Sequence, residues 1–183
     1  EKVASLNPDF ALFQEVDTSS TRSYHVDEKM LKDNFSAYSS VFAVNYHSAY
    51  LFYGIFEPHG ASNSGILTLA NKKITSSLRK SLPISISFSK FLDLDRCFSI
   101  TRMPTENGKE LVLYNVHLSA YGSSDEIRHA QMTALFSDMQ KEYEAGNYCV
   151  AGGDFNQTFD GMDTYPIHDK DSWVPGKVGK EDI

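Results

Sequence analysis

Residues 149–158 read CVAGGDFNQT. An apolar run, Cys149-Val150-Ala151, leads into Gly152 and Gly153, and then Asp154 and Asn156 stand either side of Phe155. A short apolar run bounded by turn residues reads as a buried strand. Glycines beside a strand end let a ligand or another backbone come close, and the bare acid and amide are then available to it. Taken alone, the same residues also make an Asx turn. What the other strands end in decides between the two.

Two more segments share the pattern. Asp9 to Glu15 is a predicted buried strand ending in a carboxylate, and Leu113 to Leu118 is one ending in the imidazole of His117. If the three strands are neighbours, one rim gathers two carboxylates, a histidine and an amide. Each group also has a plainer reading. Glu15 can be a solvated strand end, His117 a core histidine with its hydrogen bonds met, and Asp154-Phe155-Asn156 a turn.

The remaining chain supplies strands and one clear helix. Periodicity predicts strands over Tyr38 to Tyr46, Ser64 to Ala70, Cys97 to Met103 and Glu110 to Val116. Asn107-Gly108 marks a hairpin between the last two. Leu111 to Leu118 is apolar at nearly every residue, as in a strand covered on both faces. A short helix is expected over Lys29 to Asn34, and the last turn of another over Glu1 to Leu6. A long helix is expected over Asp125 to Tyr143, with a capping-box pair at Ser123 and Glu126 and a stop at Gly146-Asn147. Met132, Leu135, Phe136, Met139 and Tyr143 form its core-facing stripe. Lys72-Lys73 and Arg79-Lys80 read as solvated basic clusters, and the aromatic-rich stretch from Tyr46 to Phe56 as a strand pair packing into the core. Many strands with few helices indicate an α+β layered domain, sheet on sheet with helices outside.

Bulk properties bound the function. The chain has 183 residues, 41% hydrophobic and 22% charged, which is the composition of one globular domain with a core. A net charge of −7 argues against a general nucleic-acid binder, yet leaves room for a nucleic-acid enzyme whose metal offsets local charge. Cys97 and Cys149 each lie in an apolar run and read as buried free thiols. No zinc spacing, P-loop, G-x-G-x-x-G, H-E-x-x-H or G-x-S-x-G is present, and no apolar run approaches the ~18 residues of a membrane span. The sequence assigns no compartment, and any signal or anchor would lie upstream of Glu1.

Gln14-Glu15-Val16-Asp17, Asn115-Val116-His117-Leu118-Ser119 and Gly152-Gly153-Asp154-Phe155-Asn156 occur in this order. Together the three motifs resemble the endonuclease/exonuclease/phosphatase superfamily, the DNase I-like proteins. Ser62-Asn63-Ser64-Gly65, turning into an apolar strand, and Arg128-His129-Ala130-Gln131 on the long helix are similar to two further elements of that family. The likeness covers Asn7 to Asn156.

The resemblance implies a four-layer α/β/β/α sandwich that cleaves phosphate esters with Mg²⁺ or Mn²⁺. It implies that Glu15 binds metal and that Asp154 orients or deprotonates the attacking water or helps hold metal. Asn156 would donate to the phosphate or nucleophile, and His117 to a non-bridging phosphate oxygen. Arg22, Tyr24 and His25 follow Glu15 closely and, with Asn63, are candidate substrate contacts. The family's N-terminal strand with a metal-site asparagine and its C-terminal Asp-His pair are not found, and His168-Asp169 has the reverse order. Residues 1–183 are therefore expected to be a single partial domain, inactive alone, of a larger hydrolase. The resemblance leaves nucleic acid, inositol phosphate and phospholipid headgroup as substrate classes, and it implies no obligate protein partner. A non-catalytic binding module that retains the fold is the competing expectation.

Overall fold

The computed structural model describes residues 2–18, 20, 23, 26–51, 60–84, 95–120, 125–159 and 175–178. Two sheets form its centre. In the first, β1 (Phe10–Thr18), β3 (Gly60–Ala70) and β2 (Ser39–Leu51) run antiparallel in the order β1-β3-β2. In the second, β4 (Ser76–Ser81), β5 (Cys97–Pro104), β6 (Glu110–His117) and β7 (Tyr148–Asp154) are ordered β4-β5-β6-β7. The Asn107-Gly108 turn joins β5 to β6, as expected. The pair β6 and β7 is parallel, so it requires a crossover, which α2 (Asp125–Glu144) supplies. A short parallel pair, β8 (Gln157–Phe159) with β9 (Gly176–Val178), forms a third sheet whose Val178 packs into the core between β6 and α2.

Side-chain alternation assigns the layers. Val112, Tyr114 and Val116 of β6, with Leu118 just after it, pack beneath Met132 and Leu135 of α2. Its alternate residues face the other sheet, where Leu113 meets Met103 and Ala70, with Phe10 and Leu12 against them. Both faces of β6 are thus covered, as its unbroken apolar run foretold. The outer face of the first sheet is covered by Phe35 and Tyr38, which follow α1 (Glu28–Asp33). Phe35 meets the rings of Phe13 and Tyr38 edge-on at 6.1 and 5.0 Å. The order is helix, sheet, sheet, helix: an α+β sandwich of the DNase I-like kind.

Polar groups tie the layers together. Asn115 faces the first sheet; its Nδ2 donates to Leu67 O at 3.1 Å and Thr68 Oγ1 at 3.2 Å, and its Oδ1 accepts from Gln14 Nε2 at 2.8 Å. Arg79 donates through Nε to Val44 O at 2.7 Å, and Lys80 pairs with Asp138 at 2.5 Å. The Arg79-Lys80 cluster is therefore engaged rather than simply solvated. It sits on β4, a strand whose polar sequence hides it.

Helix α2 ends as expected. Asn147 N donates to Glu142 O and Gly146 N to Tyr143 O, a Schellman stop. Its first turn follows Ser123, which lies outside the described residues, as does most of the aromatic stretch after Leu51. Tyr143 departs from the expected stripe and is 75% exposed. The turn expected at Glu1 to Leu6 is a single 3-10 turn, Ala4–Leu6. Strand β7 is also less buried than its apolar run implied: Tyr148 and Val150 are about half exposed, because β7 is the outermost strand of its sheet. Cys97 and Cys149 are free thiols, and burial pushes the Cys97 thiol up to about 11. Among the described residues no helix is long and apolar enough to cross a membrane.

Candidate active site

Glu15 does not end its strand. It lies inside β1, where the pairing with β3 slips between Phe13 and Val16, so that Gln14 and Glu15 stand together opposite Ile66. This is a β-bulge. Glu15 takes φ +54, a left-handed backbone that is uncommon for a residue with a Cβ. Strict alternation would send Phe13 outward, Gln14 inward and Glu15 outward again, toward the α1 side. The extra residue cancels that turn and brings the Glu15 carboxylate to the inter-sheet face.

His117 faces the same space. It is the last residue of β6, on the side shared with Leu113 and Asn115. Its ring is nearly buried, with Nε2 3.8 Å from Glu15 Oε1, whereas the Glu15 side chain is 73% exposed. The ring therefore opens on one side to an accessible carboxylate. On its other side, Asn45 Nδ2 lies 3.2 Å from His117 Nδ1. Asn45 sits at a second register slip, between Val44 and Tyr46 of β2, and is 2% exposed.

The β6–β7 register sets His117 directly beside Asp154. The backbone continues this link: Leu118 N donates to Asp154 O at 2.9 Å, and Asn156 Nδ2 donates to Leu118 O at 2.9 Å. Asn156 N donates to Asp154 Oδ1 at 2.8 Å, so the Asx turn is real and coexists with the site rather than replacing it. That turn engages Oδ1 and presents an exposed carboxylate. Gly153 is required here. Its φ is +129, and a Cβ would stand 2.2 Å from Val116 O.

The helix motif braces the same rim. Gln131 is fully buried; it accepts from Ser119 N at 3.0 Å and donates to Pro83 O at 2.7 Å, which holds the segment leaving His117. On the far side, Asn63 meets His47 Nδ1 through its Oδ1, opposite Thr18 at the end of β1. The structure thus brings Glu15, His117, Asp154 and Asn156 to one rim and sets Asn63 on the strand ends next to it. Arg22, Tyr24 and His25 lie outside the described residues.

Asn45 escaped the sequence reading, and Asp17 entered it only as the end of the first motif, with no role assigned. The signal for Asn45 was an amide inside an otherwise apolar strand, where asparagine is disfavoured. The signal for Asp17 was a second acid two residues after Glu15; it is buried and lies opposite Ser64.

Among the described residues, no three His, Cys, Asp or Glu side chains make a metal-holding group. A hard divalent cation takes one or two carboxylates and otherwise keeps water or substrate oxygens. The exposed carboxylates of Glu15 and Asp154 are donors of that kind, so the residues present fit such an ion.

No family model matches the chain, and no curated protein does. Solved structures do. The human Nocturnin catalytic domain, solved with a bound sulfate anion, is 19% identical with a TM-score of 0.60, over 86% of this chain and 54% of that one. ANGEL2, described as a 2',3'-cyclic phosphatase, is 15% identical with a TM-score of 0.58, over 86% and 42%. A beta toxin variant from Staphylococcus aureus, solved with bound magnesium ions, is 17% identical with a TM-score of 0.54, over 85% and 54%. The chain spans about half the length of these structures. With its two packed sheets, outer helices and this likeness, the chain carries the DNase I-like fold.

Proposed function

We propose that Glu15, His117, Asp154 and Asn156 form one wall of the active site of a divalent-metal-dependent phosphoesterase. The observation that carries this reading is the approach of His117 Nε2 to Glu15 Oε1 at 3.8 Å, with Asp154 in register beside the histidine. Glu15 and Asp154 would hold Mg²⁺ or Mn²⁺. When bound, such an ion offsets phosphate charge and makes water a better nucleophile.

The chain's own groups do the rest. His117 donates from Nε2 to a non-bridging phosphate oxygen. Asn156 has committed one amide N–H to Leu118 and offers the other to the phosphate or nucleophile. Asp154, held by its Asx turn, orients the water and takes its proton as the water oxygen bonds to phosphorus and the ester P–O bond breaks. Fixed donors facing a centre that gathers negative charge stabilise the transition state more than the ground state. Asn63, on the strand ends next to the rim, is proposed to contact the substrate, as are Arg22, Tyr24 and His25.

The test is hydrolysis of bis(p-nitrophenyl) phosphate by the full-length protein with Mg²⁺ or Mn²⁺. Glu15→Ala and Asp154→Ala are each expected to lower kcat/KM about 10³-fold or more. Unchanged rates in both variants overturn the site. Phosphate binding without turnover favours a binding module. A panel of nucleic acid, inositol phosphate and phospholipid then identifies the substrate class.

A further inference from the structure

We infer that Asn45 is a positioning residue that holds His117 in one tautomer, with its single proton on Nε2. Asn45 lies at a register slip of β2, inside the sandwich, and its Nδ2 is 3.2 Å from His117 Nδ1. An amide nitrogen has only hydrogens to offer, so the ring nitrogen facing it must accept. A neutral imidazole that accepts at Nδ1 carries its proton on Nε2.

The other side of the ring agrees independently. Nε2 faces the Glu15 carboxylate at 3.8 Å, and an ionised carboxylate can only accept. Two groups on different strands, each displaced by its own irregularity in pairing with β3, thus ask the same thing of one ring. Both Asn45 and His117 are buried, so water does not readily stand in for the amide. The consequence is a histidine whose N–H points to the open rim before any ligand arrives. The same ring with its proton on Nδ1 would present a lone pair there and could not donate to an anionic oxygen.

The tautomer does not depend on the proposed hydrolysis; the kinetic consequence rests on it. The experiment is ¹⁵N NMR of histidine-labelled full-length protein at about pH 8, above the usual histidine range. His117 is assigned by the loss of its signals in His117→Gln. Wild type should show His117 Nδ1 as the lone-pair nitrogen and Nε2 as the protonated one. Asn45→Asp places an acceptor opposite Nδ1, so Nδ1 should become protonated. Asn45→Ala should give a mixture of tautomers.

A protonated Nδ1 in wild type overturns the inference, whether or not any variant folds. An unchanged His117 spectrum in both Asn45 variants overturns it too. In the phosphodiester assay, Asn45→Ala should lower kcat about 10- to 100-fold with a smaller change in KM, and Asn45→Gln should recover part of the loss. If the spectra behave as stated while Glu15→Ala and Asp154→Ala hydrolyse normally, the assignment of the active site to Glu15 and Asp154 fails and the role of Asn45 stands.

Discussion

At the scale of single residues, Glu15 is where function and backbone preference conflict. A left-handed backbone costs a residue with a Cβ about 1–2 kcal/mol, and Glu15 holds φ +54 within a strand. Glu15→Ala and Glu15→Gly both remove the carboxylate, but only glycine relieves the strain. Glu15→Gly should therefore be more stable than Glu15→Ala by about 1 kcal/mol in urea unfolding, with both equally inactive. Equal stabilities would mean that the bulge relaxes when the carboxylate is removed. The motif residues themselves were legible: an acid, a histidine and an acid–amide pair at three apolar segments. The bulge that aims Glu15 was not, because Gln14 and Glu15 pair with Ile66 only once β1 has met β3.

At the scale of elements, caps and hairpins announced themselves locally, whereas the seating of the helix did not. Asn107-Gly108 and Gly146-Asn147 act through backbone geometry within a few residues, so their effect is visible in sequence. The seating of α2 depends on Arg102 of β5. Its guanidinium donates to both carboxylate oxygens of Glu142, at 3.0 Å to Oε2, and reaches Glu110 Oε2 at 2.9 Å. Asn147 Nδ2 adds a bond to Glu142 at 2.8 Å. The Arg102 hydrogen bonds hold the Glu142 carboxyl below the ordinary glutamate range, despite the opposing effect of burial.

A depressed carboxyl pKa contributes stability that is complete above the unfolded-state value and is lost as pH falls through the folded-state one. Arg102→Met should therefore cost about 1–3 kcal/mol at neutral pH. The gap to wild type should close progressively as pH drops below the ordinary glutamate range. Urea titrations at several pH values read this directly, and a gap that is constant down to acid pH would exclude the Glu142 pairing as its source. β4 shows the opposite limit. Ser76-Ser77-Leu78-Arg79-Lys80-Ser81 carries no strand pattern, and its Leu78 is 60% exposed. It is a strand because the edge of β5 offers hydrogen bonds, not because its side chains need burial.

At the scale of the whole molecule, Asn115 joins the two sheets at the level of the site. It is fully buried, satisfied by Leu67 O, Thr68 Oγ1 and Gln14 Nε2, and lies two residues before His117. Asn115→Ala leaves those groups without a partner and should lower the unfolding free energy by about 2–3 kcal/mol. A loss below about 0.5 kcal/mol would show that the sheets are held by apolar packing alone. Because Gln14 is the bulge residue beside Glu15, the same change should also reduce activity through the placement of Glu15.

The sequence by itself determined the layer order, the two covered faces of β6, the C-terminal stop of α2 and the identity of the rim residues. These follow from alternation, helical spacing and turn chemistry, which act between near neighbours in the chain. Only the tertiary structure decided that Glu15 turns inward, that Asn45 stands behind His117, and that the apolar run of β7 forms a half-exposed edge. Each of these depends on partners distant in sequence: the single Ile66 facing two residues of β1, the ring of His117 across the sandwich from β2, and the strand order that sets β7 outermost. A residue's type says what bonds it can make; the packing of two sheets says which of them it makes.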